Sequence, residues 1–253
     1  MEALKNYSRQ VKANLIRQYC QGKTIIDFGS GRLGPLHQFE KVGIESLLGI
    51  EPNQDHIQDA KSRLSRKPAD FQSRFQFLAC GMQDTREILL YFGEHGLYKK
   101  QIALSFFSLT FMFQSRSLFD SFLVTLDKTV CRNGGMFIGT VFDGDAVSKF
   151  LESEGGQIKT TDFQLERKQD EGAKGDEVFG KEIFIDMKDT IVDAQKEYLV
   201  DFETLVKGVE NIGFKLVESK MFDPDKQEFP PDSQVLELSR MNRYFIFARY
   251  DNK

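Results

Sequence analysis

The sequence has no tryptophan and few of the residues that most often hold metals or covalent cross-links. Its 253 residues include three cysteines, three histidines and six prolines. Cys20, Cys80 and Cys131 are odd in number and far apart, and no close cysteine or histidine pairs occur. This spacing indicates neither a disulfide framework nor a zinc site. We therefore expect reduced thiols and no bound metal.

Long apolar runs and a strong charge of one sign are also missing. No run approaches the roughly 18 apolar residues of a membrane-spanning helix, and the first residues, MEALK, lack the apolar stretch of a signal peptide. Lys and Arg number 34 against 38 Asp and Glu, a net charge of −4. This balance excludes a general polyanion binder but allows a local basic patch for one phosphorylated ligand. We expect a cytoplasmic globular protein with no membrane partner.

Apolar runs alternate with helical patterns through the first 150 residues. Such alternation predicts βαβ units and a parallel sheet with right-handed crossovers. The predicted strands cover residues 24–28, 46–50, 75–79, 102–107 and 135–141. The predicted helices cover residues 4–19, 33–42, 54–65, 85–92 and 117–129.

Residues 153–189 break this rhythm, with alternating segments around a polar loop at 170–177. We expect an antiparallel excursion from the sheet there. A helix over 202–212, stopped by Gly213, and closing strands over 214–221 and 244–249 follow it. A proline-containing loop is expected over 223–232.

A glycine-rich loop follows the first predicted strand and opens a helix. It matches G-x-G-x-x-G at Gly29, Gly31 and Gly34, and Glu51 ends the next strand. Small residues let the backbone approach a ligand closely, and an acid at position 51 can hold the two hydroxyls of a ribose.

Three interpretations of this loop remain: a dinucleotide site, an S-adenosylmethionine site, and a purely structural turn. Asp27 lies two residues before the first glycine. A carboxylate there is poorly placed beside a pyrophosphate, but it suits a ligand with an ammonium and a sulfonium. Asp-x-Gly-x-Gly is also the usual opening of methyltransferases, so we favour S-adenosylmethionine.

Two downstream motifs resemble those of one methyltransferase family. GGMFIGT over 134–140, followed by Asp143, resembles the "GG-x-FIGT-x-x-(D/N)" stretch of the mRNA cap guanine-N7 methyltransferases. FG at 179–180 and VDAQKEYLVDF over 192–202 resemble that family's "FG…VD-x-PE-(F/Y)-LV-x-F" segment, with one extra residue before Glu197. KANLI over 12–16 and YFIFA over 244–248 are similar to its first helix and closing strand. The divergence is typical of a large DNA virus enzyme, in which this domain is often the C-terminal part of a longer, multifunctional capping protein.

The resemblance implies an α/β fold of the class I S-adenosylmethionine-dependent type. This fold is Rossmann-like, with a seven-stranded, mostly parallel sheet and an inserted antiparallel lid. It also implies one domain over 1–253. Its parts are an N-terminal helical segment (1–22), a cofactor-binding core (23–152), the lid (153–189), and a cap-binding helix with closing strands (190–253).

The resemblance also implies a role for individual residues. Lys12 would bind the methionine carboxylate, Glu51 the ribose, and Glu197, as the catalytic residue, the N1–H and N2 amine of guanine. The full set on the cofactor side is Lys12, Asp27, Gly29, Ser30, Gly31, Glu51, Cys80 and Phe106. The full set on the cap side is Arg32 and Arg63 at the phosphates, with Thr110, Phe111, Glu197 and Tyr244 around guanine.

The sequence departs from the family pattern in two places. Phe106, Thr110 and Phe111 stand where the family usually has a glutamine and a His-Tyr pair. Residues 77–82 offer no carboxylate for adenine, which leaves a backbone N–H near Cys80 or Gly81 for that contact.

The predicted function is methyl transfer from S-adenosylmethionine to N7 of the guanine cap of mRNA. The predicted partners are capped RNA and the RNA triphosphatase and guanylyltransferase domains of the same polypeptide. For a viral protein the cytoplasmic location would be the viral factory or the virion. Two alternatives remain: a methyltransferase for another RNA or small substrate, and a degenerate domain that binds nucleotide or supports a partner.

Overall fold

A computed structural model describes residues 1–168, 178–188, 194–224, 229 and 233–250. The predicted polar loop at 170–177 and the motif residues Val192 and Asp193 lie outside the described residues, as does most of the predicted loop at 223–232. Within the described part, the chain forms two sheets, and the larger one has helices on both faces.

The larger sheet contains seven strands. They are β1 (Thr24–Phe28), β2 (Ser46–Ile50), β3 (Phe75–Leu78), β4 (Ile102–Phe106), β5 (Met136–Phe142), β10 (Lys215–Met221) and β11 (Asn242–Ala248). Their order across the sheet is β10-β11-β5-β4-β1-β2-β3. All neighbouring pairs are parallel except those made by β11, which runs antiparallel to both β5 and β10.

The helices lie between these strands and ahead of the first one. They are α1 (Glu2–Tyr19), α2 (Leu36–Val42), α3 (Gln54–Leu64), α4 (Ala69–Gln72), α5 (Thr85–Glu94), α6 (Arg116–Thr129), α7 (Gly144–Ser153), α8 (Phe202–Asn211) and α9 (Gln234–Arg240). A 3₁₀ helix covers Leu109–Gln114. Side chains cap several of these starts: Asn53 accepts from the backbone of α3, and Asp143 and Asp201 do the same for α7 and α8.

A second, antiparallel sheet is inserted after α7. Its strands are β6 (Gln157–Lys159), β7 (Phe163–Arg167), β8 (Glu182–Met187) and β9 (Gln195–Tyr198), in that order across the sheet. The predicted excursion is therefore antiparallel, but it extends past residue 189 to Tyr198. Glu197, which the sequence analysis placed with the cap-binding helix, lies on the last strand of this sheet.

Two buried apolar clusters cover the faces of the large sheet. The central strands are buried on both faces, as expected for parallel strands between helices. Phenylalanine is prominent in the core, and Phe28, Phe122, Phe137 and Phe245 form a chain of ring contacts on one face. A third cluster packs the second sheet against α1, α7 and α9. No helix among the described residues has both the length and the apolar character needed to span a membrane.

The sequence predicts this architecture, and the α/β fold is confirmed. The predicted bounds of β1 and β2 match the structure. It did not predict α7, α9 or the 3₁₀ helix as separate elements. α7 joins β5 to the second sheet, the 3₁₀ helix contacts β9, and α9 packs with second-sheet residues in the third apolar cluster.

Candidate active site

A cavity of about 990 Å³ opens at the carboxyl ends of the parallel strands. β2 and β4 lie on opposite sides of β1, so the direction in which strands are added to the sheet reverses at this point. The crevice at such a reversal is the expected ligand site in an open α/β sheet. One side of the cavity comes from the loops after β1, β2, β3 and β4. The other sides come from α1 and the second sheet.

The glycine loop after β1 forms the floor of this cavity. Gly29 has φ +74°, and a Cβ there would lie 2.3 Å from the Cβ of Ser108. Gly31 has φ +52°, and both glycines line the cavity. Only glycine combines this backbone conformation with so close an approach. Ser30 is buried and faces away, against Gly49.

Glu51 stands beside this loop at the end of β2. One carboxylate oxygen accepts from the backbone N–H of Gly31 at 2.9 Å, and the other accepts from that of Asn53 at 3.0 Å. His56 Nδ1 lies 3.4 Å from the same carboxylate. Glu51 is 7% exposed and lines the cavity. Each oxygen retains a second lone pair, so the carboxylate can still accept from a pair of hydroxyls.

Buried Asp27 and partly buried Lys12 interact electrostatically next to the loop. Burial raises the pKa of Asp27 to about 7, Lys12 opposes this rise and Glu51 adds to it. Burial lowers the pKa of Lys12, against the attraction of Asp27. The Lys12 ammonium lies 5.2 Å from the ring centre of Phe107, a residue held at φ +64° after β4. Asp27 itself does not line the cavity, whereas Lys12 does. A cationic ligand bound nearby would favour the ionised form of Asp27.

The loop after β3 supplies polar groups that the sequence analysis missed. Cys80 is buried and does not line the cavity, whereas Gly81, Gln83 and Asp84 do. Asp84 accepts from the backbone N–H of Gly81 at 2.8 Å. Residues 77–82 contain no carboxylate, as the sequence shows, but Asp84 just beyond them lines the cavity. The carboxylate is four residues beyond Cys80, and the turn at 81–84 folds it back.

The described residues contain one group of side chains with metal-ligand spacing. The ligand atoms of Cys80, Asp84 and Glu87 all lie within 4.8 Å of one another. Burial raises the pKa of the Cys80 thiol to about 12. A thiol that resists ionisation is a poor ligand, because metals bind the thiolate. Nothing else in this group points to an ion.

The second sheet places Glu197 on the opposite wall. Glu197 is 8% exposed and lines the cavity, and Gln195 Nε2 donates to its Oε1 at 2.6 Å. Burial raises the pKa of Glu197 to about 7, whereas the hydrogen bond from Gln195 and the neighbouring Thr110 side chain oppose this rise. Phe111 lines the same cavity and is 42% exposed. The wall thus combines a buried acid, an amide and an exposed aromatic face.

Thr110 does not line the cavity but supports this wall. Its hydroxyl donates to the carbonyl of Tyr198 at 2.7 Å and accepts from the N–H of Tyr198 at 2.8 Å. These two bonds fix β9 to the 3₁₀ helix after β4. The prediction of a direct contact between Thr110 and substrate is corrected to an indirect role, since the side chain is buried behind Glu197.

The two predicted phosphate residues lie in different positions relative to the cavity. Arg32 lines the cavity and lies 3.3 Å from Asp59. Arg63 does not line it; its guanidinium donates to the carbonyl of Arg32 at 2.6 Å. The direct phosphate contact predicted for Arg63 is thus corrected to a role behind Arg32. Lys5 and Arg9, which the sequence analysis missed, line the cavity from α1 at a spacing of four residues, so they lie on one helix face with Lys12.

Tyr244 lies apart from the cavity, contrary to the prediction that it contacts guanine. Its hydroxyl donates to Glu218 at 2.6 Å, and its ring packs on the apolar cluster beside α1. β11 runs antiparallel, so its first residue, Asn242, lies at the cavity end beside Phe142. Tyr244 is two residues deeper, roughly 7 Å along the strand. Phe106, which is predicted on the cofactor side, does line the cavity.

A family model for the mRNA (guanine-N(7))-methyltransferase domain matches residues 1–244. The chain belongs to this family. It is 23% identical over 227 residues to an mRNA cap guanine-N(7) methyltransferase of Schizosaccharomyces pombe, covering 87% of this chain and 61% of the relative. The Saccharomyces cerevisiae protein of the same name is 25% identical over 231 residues, covering 87% and 52%. The chain therefore spans between about half and three fifths of the length of these relatives.

Solved structures resemble the fold at lower identity. A glycopeptide N-methyltransferase, MtfA, complexed with S-adenosyl-L-methionine matches with a TM-score of 0.59 and 12% identity, over 96% of this chain and 94% of that one. An S-adenosylmethionine-dependent methyltransferase from Listeria monocytogenes, described as putative, matches with a TM-score of 0.62 and 12% identity, over 98% and 99%. The chain thus shares its fold with these methyltransferases.

Proposed function

We propose that this domain transfers a methyl group from S-adenosylmethionine to N7 of the guanine cap of mRNA. The observation that carries the proposal is the position of Glu197, a buried acid that faces the glycine loop across one cavity. Membership of the cap methyltransferase family and the names of the relatives support it.

The residues around the glycine loop fit S-adenosylmethionine. Gly29 leaves room that a Cβ would fill, and Asp27 is a buried acid whose raised pKa favours a cationic neighbour. Glu51 would hold the ribose hydroxyls, Lys12 the carboxylate, and the turn at 81–84 the adenine. When bound, S-adenosylmethionine supplies an electrophilic methyl group.

Guanine N7 keeps its lone pair at neutral pH, so the chain needs no general base. The cavity's task is to position the purine and to supply a suitable field. Positive charge develops on the purine as N7 becomes alkylated, and its N1–H and N2 amine become stronger donors. A carboxylate that accepts from these groups binds the transition state more tightly than the substrate. Glu197 is the residue placed to do so.

The phosphate bridge of the cap would lie at the cavity mouth near Arg32, Lys5 and Arg9. All three line the cavity, and guanidinium and ammonium groups bind phosphate by charge-assisted hydrogen bonds. Phe111 offers an exposed ring on which guanine can stack.

The finer predictions are also proposals. They are a viral origin, RNA triphosphatase and guanylyltransferase domains on the same polypeptide, and a cytoplasmic location in a viral factory or virion. The relatives named above are cellular proteins from yeasts. Identification of the gene's neighbouring coding sequence and of the source genome would test the first two.

The deciding experiment is a transfer assay with labelled S-adenosylmethionine on GpppA-capped RNA, followed by digestion. Label in 7-methylguanosine supports the proposal. Label in another nucleoside would assign the domain to a different substrate, and no transfer would indicate a degenerate domain. Uncapped RNA of the same sequence is the matched control.

A further inference from the structure

Reading guanine requires three complementary groups. Its Watson–Crick edge presents an acceptor at O6 and donors at N1–H and the N2 amine. A carboxylate supplies two acceptors and satisfies the two donors, but it has nothing to offer O6. A buried carbonyl oxygen without a donor weakens binding. A complete guanine reader therefore needs one donor beside the carboxylate.

Gln195 has the chemistry and the position of that donor. It lies two residues before Glu197 on β9, and both side chains line the cavity because strand residues two apart share a face. Gln195 Nε2 lies 2.6 Å from Glu197 Oε1. Its amide group carries two hydrogens. One hydrogen bonds Glu197, and the amide therefore keeps a second N–H to donate beside the carboxylate.

Neighbouring hydroxyls are committed to other bonds. The Thr110 hydroxyl uses its hydrogen on the carbonyl of Tyr198. The Ser108 hydroxyl donates to the carbonyl of Phe28 at 2.6 Å. The amide of Asn242, at the far rim of the cavity, donates to the carbonyls of Leu238 and Ser239.

We propose that Gln195 donates a hydrogen bond to guanine O6, so that Gln195 and Glu197 together read the whole edge of the base. This inference rests on the proposed function. The pair would also reject adenine, which presents a donor in place of O6 and an acceptor in place of N1–H.

The test compares two caps that differ at one atom. In 6-thioguanosine, sulfur replaces O6 and accepts hydrogen bonds more weakly, while N1–H and the N2 amine remain. Single-turnover rates and cap affinities are measured on RNA capped with GpppA or with its 6-thio form. We expect the wild-type protein to prefer GpppA by roughly 3-fold to 10-fold, the value of one neutral hydrogen bond.

Variants at position 195 identify the donor. Gln195→Met keeps the side-chain length and removes the donor. The preference for GpppA over its 6-thio form should then shrink to the intrinsic difference in reactivity between the two caps. Its discrimination against an inosine cap should persist, because Glu197 reads the N2 amine. Gln195→Lys restores a donor and should restore the preference. Lys196→Met is the matched control, since Lys196 lies on the opposite face of β9, paired with Glu182, and it should keep the wild-type ratio.

Two results would overturn the inference. If Gln195→Met slows both caps equally, Gln195 only positions Glu197. If the wild-type protein itself binds the two caps equally, O6 is not read, and this measurement requires no variant to fold. In both cases transfer to GpppA would still support the proposed function. Loss of transfer by the wild-type protein would instead refute the function.

Discussion

The Glu51 carboxylate accepts a hydrogen bond from the backbone N–H of Gly31, 20 residues earlier in the chain, at 2.9 Å. One acid therefore holds the glycine loop in place and faces the predicted ribose site. Ligand binding and loop conformation should consequently respond together to a change at this position.

The first prediction concerns Glu51→Ala. S-adenosylhomocysteine at about 100 times its Kd should stabilise the wild-type protein by about 2.7 kcal/mol, a rise in Tm of roughly 5–10 °C. Glu51→Ala should lose most of this rise, and NAD should produce none in either protein. Thermal melts provide the measurement, with the exposed Glu45→Ala as control. An equal rise with NAD would contradict the S-adenosylmethionine assignment.

The second prediction concerns pH and Asp27. Its pKa is raised to about 7, so Asp27 is largely protonated below pH 7. Cofactor affinity should therefore rise between about pH 5.5 and 7.5, with proton release on binding. Calorimetry in two buffers of different ionisation enthalpy measures this release. Asp27→Asn should bind weakly and without the pH dependence; a wild-type affinity independent of pH would refute the assignment.

The same shift affects the stability of the free protein. The unfolded carboxyl ionises near pH 4, and the folded one near pH 7. Between these values the folded state holds an extra proton, so the contribution of Asp27 to the free energy of unfolding decreases as pH rises through this window. Asp27→Asn should abolish this part of the slope in chemical denaturation.

The third prediction concerns Glu197→Gln. The amide keeps the size of the side chain but replaces one acceptor oxygen with an NH2 donor, which would face the donors of guanine. The methyl-transfer step should slow by about 2–4 kcal/mol of activation free energy, as when one preorganised electrostatic partner is removed. Affinity for S-adenosylhomocysteine should barely change. A wild-type rate for Glu197→Gln would exclude Glu197 from substrate binding.

Glu197 also predicts a pH profile at saturating cofactor. Its pKa is raised to about 7 by burial, and only the carboxylate accepts from both guanine donors. The single-turnover rate should rise with pH through about 7 in the wild-type protein. The single-turnover rate of Glu197→Gln should be low and independent of pH over the same range, which distinguishes this effect from that of Asp27.

The fourth prediction concerns Thr110. Thr110→Val keeps the side-chain volume and removes the hydroxyl that bonds both backbone groups of Tyr198. The free energy of unfolding should fall by about 1–3 kcal/mol, because two buried polar groups lose their partner. Thr110→Ser should retain most of the stability. Equal unfolding midpoints for valine and threonine would show that the contact contributes nothing.

The fifth prediction concerns the phosphates. Arg32→Ala should weaken binding of capped RNA and reduce the slope of log affinity against log salt by about 0.7, the value for one contact to a single strand. Arg63→Ala should leave the slope nearly unchanged, because Arg63 does not line the cavity. Collapse of cofactor binding in Arg32→Ala, with cap binding intact, would reverse the assignment.

The sequence indicated the parallel sheet and the glycine loop because both depend on local patterns. The runs at 24–28 and 46–50 are mostly apolar, and glycine spacing reports backbone geometry directly. Family motifs then identified Glu197 without any structural input. Lys5 and Arg9 on α1 are difficult to predict from the sequence, because they become cavity residues only when α1 packs across the mouth of the cavity.

Tyr244 and Asp84 show two limits of sequence interpretation. The motif at 244–248 is a real strand, but the depth of Tyr244 depends on the register of β11 with β5, which no local pattern determines. Asp84 returns to the cavity through a turn whose closing bond, from the Gly81 N–H, involves its own side chain. Both outcomes depend on pairings between residues that the linear order does not specify.

The pair of bonds between Thr110 and Tyr198 also fixes the position of β9 relative to the 3₁₀ helix. β9 cannot slide along its own axis without breaking the bonds at both the N–H and the carbonyl of Tyr198. The distance from Glu197 to the glycine loop is therefore set before any ligand arrives. Under the proposed function, the fixed position of Glu197 on β9 limits how deeply a guanine can bind in the cavity.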